Sequence, residues 1–272
     1  MRFISLNLNG RVAKAHAQCD AIAARNPDIV ALQEVTATTL PIIRTALADR
    51  GISFFVDSFA GVSTAVPLRG PRRYGVAIAS IHPLHRLNSI RVPWPEKVLG
   101  ASVLRRDGRI NVYSAHIPPG ASNGWMKIEV LEGIYRGLAR RTRTPRILAG
   151  DFNTPQCESE TGEVITWGQW IDDDGTALVW GRFKGDTGIR WDTAERQILT
   201  GLAAFDLCDV FRRVRGYKCT EFSWYLPGRT IGRRFDHVFA SVVLKPVRCR
   251  YIQKYRTSGL SDHAAIEAEF AA

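Results

Sequence analysis

The chain has 272 residues, 45% of them hydrophobic and 23% charged, which excludes a disordered or fibrous protein and permits a large buried core. The formal charge is +11 and the pI about 9.8, carried by 30 arginines against seven lysines. Arginine's planar fork binds phosphate in a bidentate way, so this balance points to a polyanionic partner, with an anionic membrane surface as second choice. An Ala- and Arg-rich genome would supply part of the same excess without any function.

No apolar run reaches membrane-spanning length, and the apolar part of Met1–Asn7 is too short for a secretory signal. The cysteines at 19, 157, 208, 219 and 249 are odd in number, scattered and without CxxC spacing. Reduced thiols in a cytoplasmic protein fit that pattern better than a disulfide framework or a zinc site. No linker, low-complexity tract or repeat interrupts the chain. It reads as one domain over 1–272, with no obligate protein partner evident.

In chain order, Arg2–Asn9 alternates as a first strand and places Asn7 and Asn9 on one face if it stays regular. Val12–Arg25 reads as a helix ended by Asn26-Pro27, and Asp28–Val35 as a buried strand delivering Glu34 at its end. Thr38–Arg50 is a second helix and Ile52–Val56 a strand. Asp57–Arg73 is a Gly/Pro-punctuated loop ending in Arg69, Arg72 and Arg73. Tyr74–Ser80 is a buried strand. Val98–Leu104 and Arg109–Ala115 pair around Asp107-Gly108 and deliver His116. Trp125–Arg141 is a helix with Ile128, Leu131, Tyr135 and Leu138 inward.

Arg146–Ala149 is a short apolar strand that runs into Gly150-Asp151-Phe152-Asn153-Thr154-Pro155, which cannot continue a sheet. Asp151 and Asn153 point the same way if the backbone stays extended, and the pair suits holding and deprotonating a water. An Asx turn closing a strand is the plain alternative. About 156–191 is a Trp-rich insertion with Trp167, Trp170, Trp180 and Trp191, too aromatic for a disordered loop. Thr193–Ala204 reads as a helix and Leu207–Phe211 as a short element. Strands follow at Phe222–Tyr225, Phe235–Ser241, Cys249–Gln253 and Ala264–Phe270. Elements alternate early and strands dominate late, as in an α/β domain of more than one layer.

The chemistry lies at the strand ends. Asn7, Glu34, His116, Asp151, Asn153, Asp236, Asp262 and His263 each follow or open an apolar strand. Any one alone reads as a turn residue or an ordinary ion pair; Asp236 beside Arg233 and Arg234 is an example. Asn7 and Glu34 offer hard oxygens without thiolate or a His cluster, which favours Mg²⁺ or Mn²⁺ over zinc. With an imidazole at His263 oriented by Asp236 and a water held by Asp151, the set suits hydrolysis of a phosphate ester.

Seven motifs carry a resemblance: Ser5-Leu6-Asn7-Leu8-Asn9-Gly10, Leu32-Gln33-Glu34-Val35, Tyr74–Ser80, Ser114-Ala115-His116, Gly150-Asp151-Phe152-Asn153, Arg234–Phe239 and Ser261-Asp262-His263. In this order, from residue 5 to 263, they resemble the endonuclease/exonuclease/phosphatase family. The resemblance implies a four-layer α/β sandwich, two mixed β-sheets face to face with helices on both outer faces. It also implies a divalent metal held chiefly by Glu34, with Asn7 nearby and Asp262 at or near a second position. Asp151 would orient or deprotonate the attacking water, and Asn153 would hold water and phosphate. His263, paired with Asp236, would bind the phosphoryl oxygen, and His116 would contact the phosphate or help the leaving group. Leu6 stands where the family often has Trp, and Val35 departs from the abasic-site branch.

The leading expectation is a Mg²⁺- or Mn²⁺-dependent nuclease or DNA-end phosphodiesterase. Arg72, Arg73, Arg233 and Arg234, with Asn9, would grip the substrate, and loop tryptophans would stack on bases unless they are core. A phospholipid or inositol-phosphate substrate ranks second, because no lipid-inserting hairpin stands out in the sequence. An inactive nucleic-acid-binding protein ranks third.

Overall fold

In the computed structural model, residues 1–62, 68–87 and 90–271 are described, so part of the loop expected over Asp57–Arg73 lies outside the described residues. In chain order the strands and helices are β1 (Arg2–Asn7), α1 (Ala15–Ala23), β2 (Ile29–Val35), α2 (Thr39–Ala48), β3 (Phe54–Asp57), β4 (Gly75–Ser80), β5 (Leu84–Leu87), β6 (Val98–Arg105), β7 (Gly108–His116), α3 (Gly120–Asn123), α4 (Met126–Leu138) and β8 (Arg146–Asp151). Then come β9 (Cys157–Glu158), β10 (Val164–Ile165), β11 (Gln169–Ile171), β12 (Ala177–Val179), α5 (Gly188–Leu199), β13 (Cys208–Asp209), α6 (Val210–Arg215), β14 (Trp224–Tyr225), β15 (Gly232–Arg233), β16 (Asp236–Ala240), β17 (Pro246–Ile252), α7 (Lys254–Thr257) and β18 (Ala265–Phe270).

Two six-stranded mixed sheets form, in the orders β17-β18-β1-β2-β4-β3 and β13-β16-β8-β7-β6-β5. Each contains one parallel pair, β1 with β2 and β7 with β8. Strand alternation sorts the side chains into layers. Phe3, Ile29, Ala31, Val76 and Ile78 of one sheet meet Ala101, Val112, Ile147, Ala149 and Val238 of the other in a core between the sheets. The intervening residues Ile4, Leu6, Val30 and Leu32 pack under α1 and α2. Leu148 and Phe239 pack under α4 and α5. The result is the expected α/β/β/α sandwich.

The insertion is less irregular than its composition predicts. It holds the hairpins β9–β10 and β11–β12 and enters α5 earlier than expected. β11–β12 leaves Trp170, Ile171, Leu178 and Val179 exposed, an apolar hairpin that the sequence pattern does not reveal. Its tip carries Asp172-Asp173-Asp174, which opposes an anionic bilayer.

Within the insertion, β9 is pinned by a buried ion network at Glu158. Glu158 accepts forked bonds from Arg234 at 2.6 Å and 2.6 Å and is also bonded by Arg212; Arg234 reaches Asp209 at 2.8 Å. Arg234, expected to grip substrate, is instead buried, with Nε and Nη2 bonded to Glu158 and Nη1 ion-paired with Asp209. Burial alone would raise the Glu158 carboxyl, but Arg234 and Arg212 overcome it and hold it at about 2, against an ordinary 4.5. A depressed folded-state pKa stabilises above the unfolded value, and that contribution is lost as pH falls. Native stability is thus expected to drop by about 3 kcal/mol between pH 4.5 and pH 2 through this group. Urea titrations of wild type and Glu158→Gln across that window check it: the variant should start less stable and lose less on acidification.

Candidate active site

The functional side chains occupy the positions where the apolar core between the sheets ends. On β1, Phe3, Ser5 and Asn7 share the inward face. On β7, β8 and β16 the same parity continues Val112 to His116, Ala149 to Asp151 and Val238 to Asp236. Just behind them lies a buried polar seam, in which Gln33 donates to Ser5 Oγ at 3.1 Å and to Ser114 Oγ at 3.1 Å.

Glu34 breaks the parity. Alternation along β2 would send it outward with Val30 and Leu32, beneath the helices. Instead the register against β4 shifts between Gln33 and Val35, and Glu34 has a φ of 53°. This bulge turns the carboxylate into the cleft, a common use of an extra residue next to a site.

β8 makes a comparable close approach. Gly150 has a φ of 147°, and a Cβ there would lie 1.8 Å from the carbonyl oxygen of Ala115. No other residue allows β7 and β8 to run this close just before Asp151.

Asn7 ties the two sheets together: its amide donates to Glu34 Oε1 at 3.1 Å and to Asp151 Oδ2 at 3.0 Å. Asn153 is not on an extended continuation of β8. It has a φ of 51°, its backbone N–H donates to Asp151 Oδ1 at 3.0 Å, and its amide donates to the Ile117 carbonyl at 2.9 Å. The Asx turn and the paired polar side chains are thus the same structure. Asn9 is also off the strand, which ends at Asn7. Its φ is 55° and its N–H donates to Asn7 Oδ1 at 2.9 Å, so the expected shared face does not form.

His263 Nδ1 lies 2.7 Å from Asp236 Oδ2, and its Nε2 is 3.9 Å from Asp151 Oδ2. Ser223 Oγ accepts from the N–H groups of Phe235 and Asp236, and Ser261 Oγ donates to the Asn7 carbonyl, fixing both ends of this pair. Burial disfavours a charged His263, but Asp236 and Asp151 outweigh it and raise the imidazole to about 10. Burial pushes Asp151 up to about 7; His263 limits the rise, and Asp236 and Glu34 add to it. Burial also raises Glu34, against the Asn7 bond.

His116 Nε2 lies 3.5 Å from Glu34 Oε1, and burial followed by the Lys97 charge drives its pKa well down. Lys97 sits 3.4 Å from His116 Nδ1 and donates to the carbonyls of Pro71 and Tyr74 at 2.7 Å each. Asp262 is exposed at the rim, beside Glu34 and His263 on the same cavity wall.

The remaining predicted substrate arginines divide. Arg72 is half-buried and forked onto buried Glu96 at 2.7 Å and 2.9 Å, so its guanidinium braces the loop. Arg73 is exposed and lies over Tyr74, 4.6 Å from the ring centroid, and Tyr74 meets His116 edge-on. Arg233 is half-buried and lines the cavity, 5.7 Å from the Trp167 ring.

Sequence reasoning missed the support behind Asn153. Buried Glu195 accepts from Lys127 Nζ at 2.5 Å, Trp191 Nε1 at 2.8 Å, Thr154 Oγ1 at 2.6 Å and the Trp167 N–H at 2.9 Å. Lys127 and the Trp167 indole both donate to the Asn153 carbonyl. The only sequence signal was the placement of Lys127 and Glu195 on the inward stripes of α4 and α5.

The donor set fits a divalent cation. Ligand atoms of Glu34, His116 and Asp151 lie within 4.8 Å of one another, as do those of Asp151, Asp236 and His263. Asp236 Oδ1 is buried without a hydrogen-bond partner among the described residues. Hard oxygens gathered around incompletely satisfied carboxylates are the chemistry that Mg²⁺ and Mn²⁺ take.

The model of the Endonuclease/Exonuclease/phosphatase family matches residues 4–263. Among solved structures the fold is similar to an AP endonuclease from Archaeoglobus fulgidus, at 19% identity and a TM-score of 0.73 over 100% of both chains. It is similar to the 3' phosphatase NExo from Neisseria bound to a product DNA hairpin, at 20% identity and a TM-score of 0.65 over 100% of both. It is also similar to D. rerio TDP2 complexed with a single-strand DNA product, at 16% identity and a TM-score of 0.65, covering 100% of this chain and 99% of that one.

Asp236 is the group that keeps His263 charged, which sets a pH expectation for the metal-free protein. In an NMR titration the His263 ring should lose its proton near pH 10. Asp236→Asn should lower that midpoint by about one pH unit or more, since removal of a buried counter-charge favours the neutral ring. An unchanged midpoint would show that Asp236 does not carry the shift.

Proposed function

Because the chain belongs to the endonuclease/exonuclease/phosphatase family, whose members here are hydrolases of phosphoric esters, we propose that it is a Mg²⁺- or Mn²⁺-dependent phosphodiesterase acting on nucleic acid, DNA foremost. The observation that carries this reading is the meeting of Glu34, Asp151, Asp236 and His263 at one end of the interface between the sheets. These residues are up to 229 positions apart in sequence: Glu34 comes from β2, Asp151 and Asp236 from β8 and β16 of the other sheet, and His263 from the bend just before β18.

Glu34 and Asp262, with Asn7 alongside, are the residues that would hold the cation, which when bound supplies Lewis-acid neutralisation of phosphate charge. This chain's own groups account for the rest. Asp151, at about 7, is ionised in a useful fraction at neutral pH and can take the proton of an attacking water. His263 is charged at that pH and is aimed past Asp151, where it can donate to a phosphoryl oxygen as negative charge builds. The Asn153 amide adds a donor beside Asp151. His116, kept neutral by burial and Lys97, can accept or donate through Nε2.

The basic charge, Arg73 and Arg233 favour an extended polyanion. Two of the similar structures hold DNA, which favours DNA among polyanions. We read residues 1–272 as one catalytic domain. Five unpaired cysteines fit a reducing cytoplasm, and among the described residues no helix is long and apolar enough to cross a membrane.

The test is cleavage of labelled oligonucleotides with Mg²⁺, Mn²⁺ or EDTA, beside a panel of phospholipids and inositol phosphates. Cleavage of DNA should require the metal, and Asp151→Asn should lower kcat by about 10²-fold or more with the fold intact by circular dichroism. Turnover of the lipid or inositol panel alone would overturn the choice of nucleic acid. Full activity in Asp151→Asn would overturn the role of Asp151.

A further inference from the structure

The catalytic residues open onto a cavity of about 550 Å³. That volume lies within the range of sites that engulf a small organic ligand, and it exceeds what a phosphate alone requires. One wall comes from the insertion, as Trp167 and Phe183. Further aromatic lining comes from β14 and the residue just before β16, as Trp224 and Phe235, whose rings stack at 5.4 Å and 23°. Four aromatic rings beside a phosphate site form a slot for a flat ring attached to that phosphate.

The insertion wall is fixed in place before any ligand arrives. The Trp167 indole N–H donates to the Asn153 carbonyl at 3.1 Å, on the turn that carries the catalytic amide. Phe183 is held edge-on by buried Trp191 at 5.0 Å. The aromatic series then continues outward: Trp180 stacks on Phe183 at 6.3 Å and 24°, and Trp170 lies 5.7 Å from Trp180. Trp170 and Trp180 are 37% and 39% exposed. A run of rings from the catalytic cleft to solvent is an unusual use of tryptophan unless planar groups are laid along it.

Charge narrows the ligand further. Residues 156–191 contain seven acidic and three basic side chains, in a protein of net charge +11. The insertion is thus the part of the molecule least suited to hold phosphates. Among the described lining residues the lysines and arginines are Lys184 and Arg233, which lie against Phe183 and Trp167, and Lys127, which is paired with Glu195. The wall suits the base end of a nucleotide and leaves the backbone to the rest of the cleft.

We propose that the insertion forms a stacking site for an unpaired nucleobase adjacent to the scissile phosphate, so that the enzyme acts on single strands or strand ends in preference to internal positions of intact duplex. This rests on the nucleic-acid reading above. A base held among Trp167, Phe183, Trp224 and Phe235 cannot at the same time be stacked and paired within a duplex.

The experiment uses the full chain with Mg²⁺ and three DNA substrates: a single strand, the same strand with one abasic tetrahydrofuran unit beside the cleaved phosphate, and a closed dumbbell duplex without ends. The single strand should be cleaved with a kcat/KM about tenfold or more above the abasic strand, the order expected for one base–aromatic stack. It should also exceed the dumbbell by at least that factor. Phe183→Leu, which keeps apolar volume but removes the π face, should bring the base-to-abasic ratio to about twofold or less, mainly through KM. Phe183→Ala provides a second variant should Leu fill the slot. DNA cleavage with equal rates on base and abasic strands, or a dumbbell cut as fast as the single strand, would overturn the stacking site and leave the nuclease reading standing. Cleavage of none of the three, with turnover of lipid or inositol phosphates, would overturn both.

Discussion

The arrangement depends on placing several carboxylates in a nearly dry site and keeping them from forcing the sheets apart. Asp151 and Asp236 are buried at facing ends of neighbouring antiparallel strands, with Asp236 registered directly opposite Asp151. Glu34 is turned toward them by the bulge in β2. Like charges so close raise one another's pKa and destabilise the fold unless positive charge or hydrogen bonds intervene. Two groups do so here: His263, held charged between Asp236 and Asp151, and the Asn7 amide, which donates to Glu34 and Asp151 at once. That residual electrostatic tension suits the site to a cation and, on the reading proposed above, to accepting a proton near neutral pH.

The sandwich supplies the burial. The core between the sheets runs without interruption up to Gln33, Ser5 and Ser114, and beyond these polar groups Glu34, Asn7 and His116 of the candidate site follow within two positions. The outer layers act at longer range. α4 and α5 send Lys127 and Glu195 inward, and through the Asn153 carbonyl they fix the turn after β8. The same Glu195 anchors the insertion at the Trp167 N–H, so the aromatic lining and the turn after β8 share one buried support.

Much of this was legible in the sequence because strand parity has a period of two. Asn7, His116, Asp151 and Asp236 all fall on the inward parity of strands whose apolar residues are visible, so their convergence follows from the fold class. What parity does not reveal is backbone that leaves the strand. The left-handed turns at Asn9 and Asn153 and the bulge at Glu34 reverse or rotate side chains that alternation would place elsewhere. Arginine is over-read for a related reason. Arg72 and Arg234 look like phosphate grips in one dimension, yet their partners Glu96 and Glu158 lie 24 and 76 residues away. Composition around them cannot show that the fork is occupied. The insertion is recognisable by its tryptophans, but its two hairpins are not, because strands of two or three residues carry too little periodicity to detect.

The central claim is that Glu34 and Asp151 share one cleft that seats a divalent cation beside His263. Anomalous diffraction from crystals soaked in Mn²⁺ measures this directly. The account predicts one strong peak within ligand distance of a Glu34 carboxylate oxygen, on the side facing Asp151, and its loss in Glu34→Gln. Peaks only at exposed surface carboxylates, with no density between Glu34 and Asp151, would contradict it.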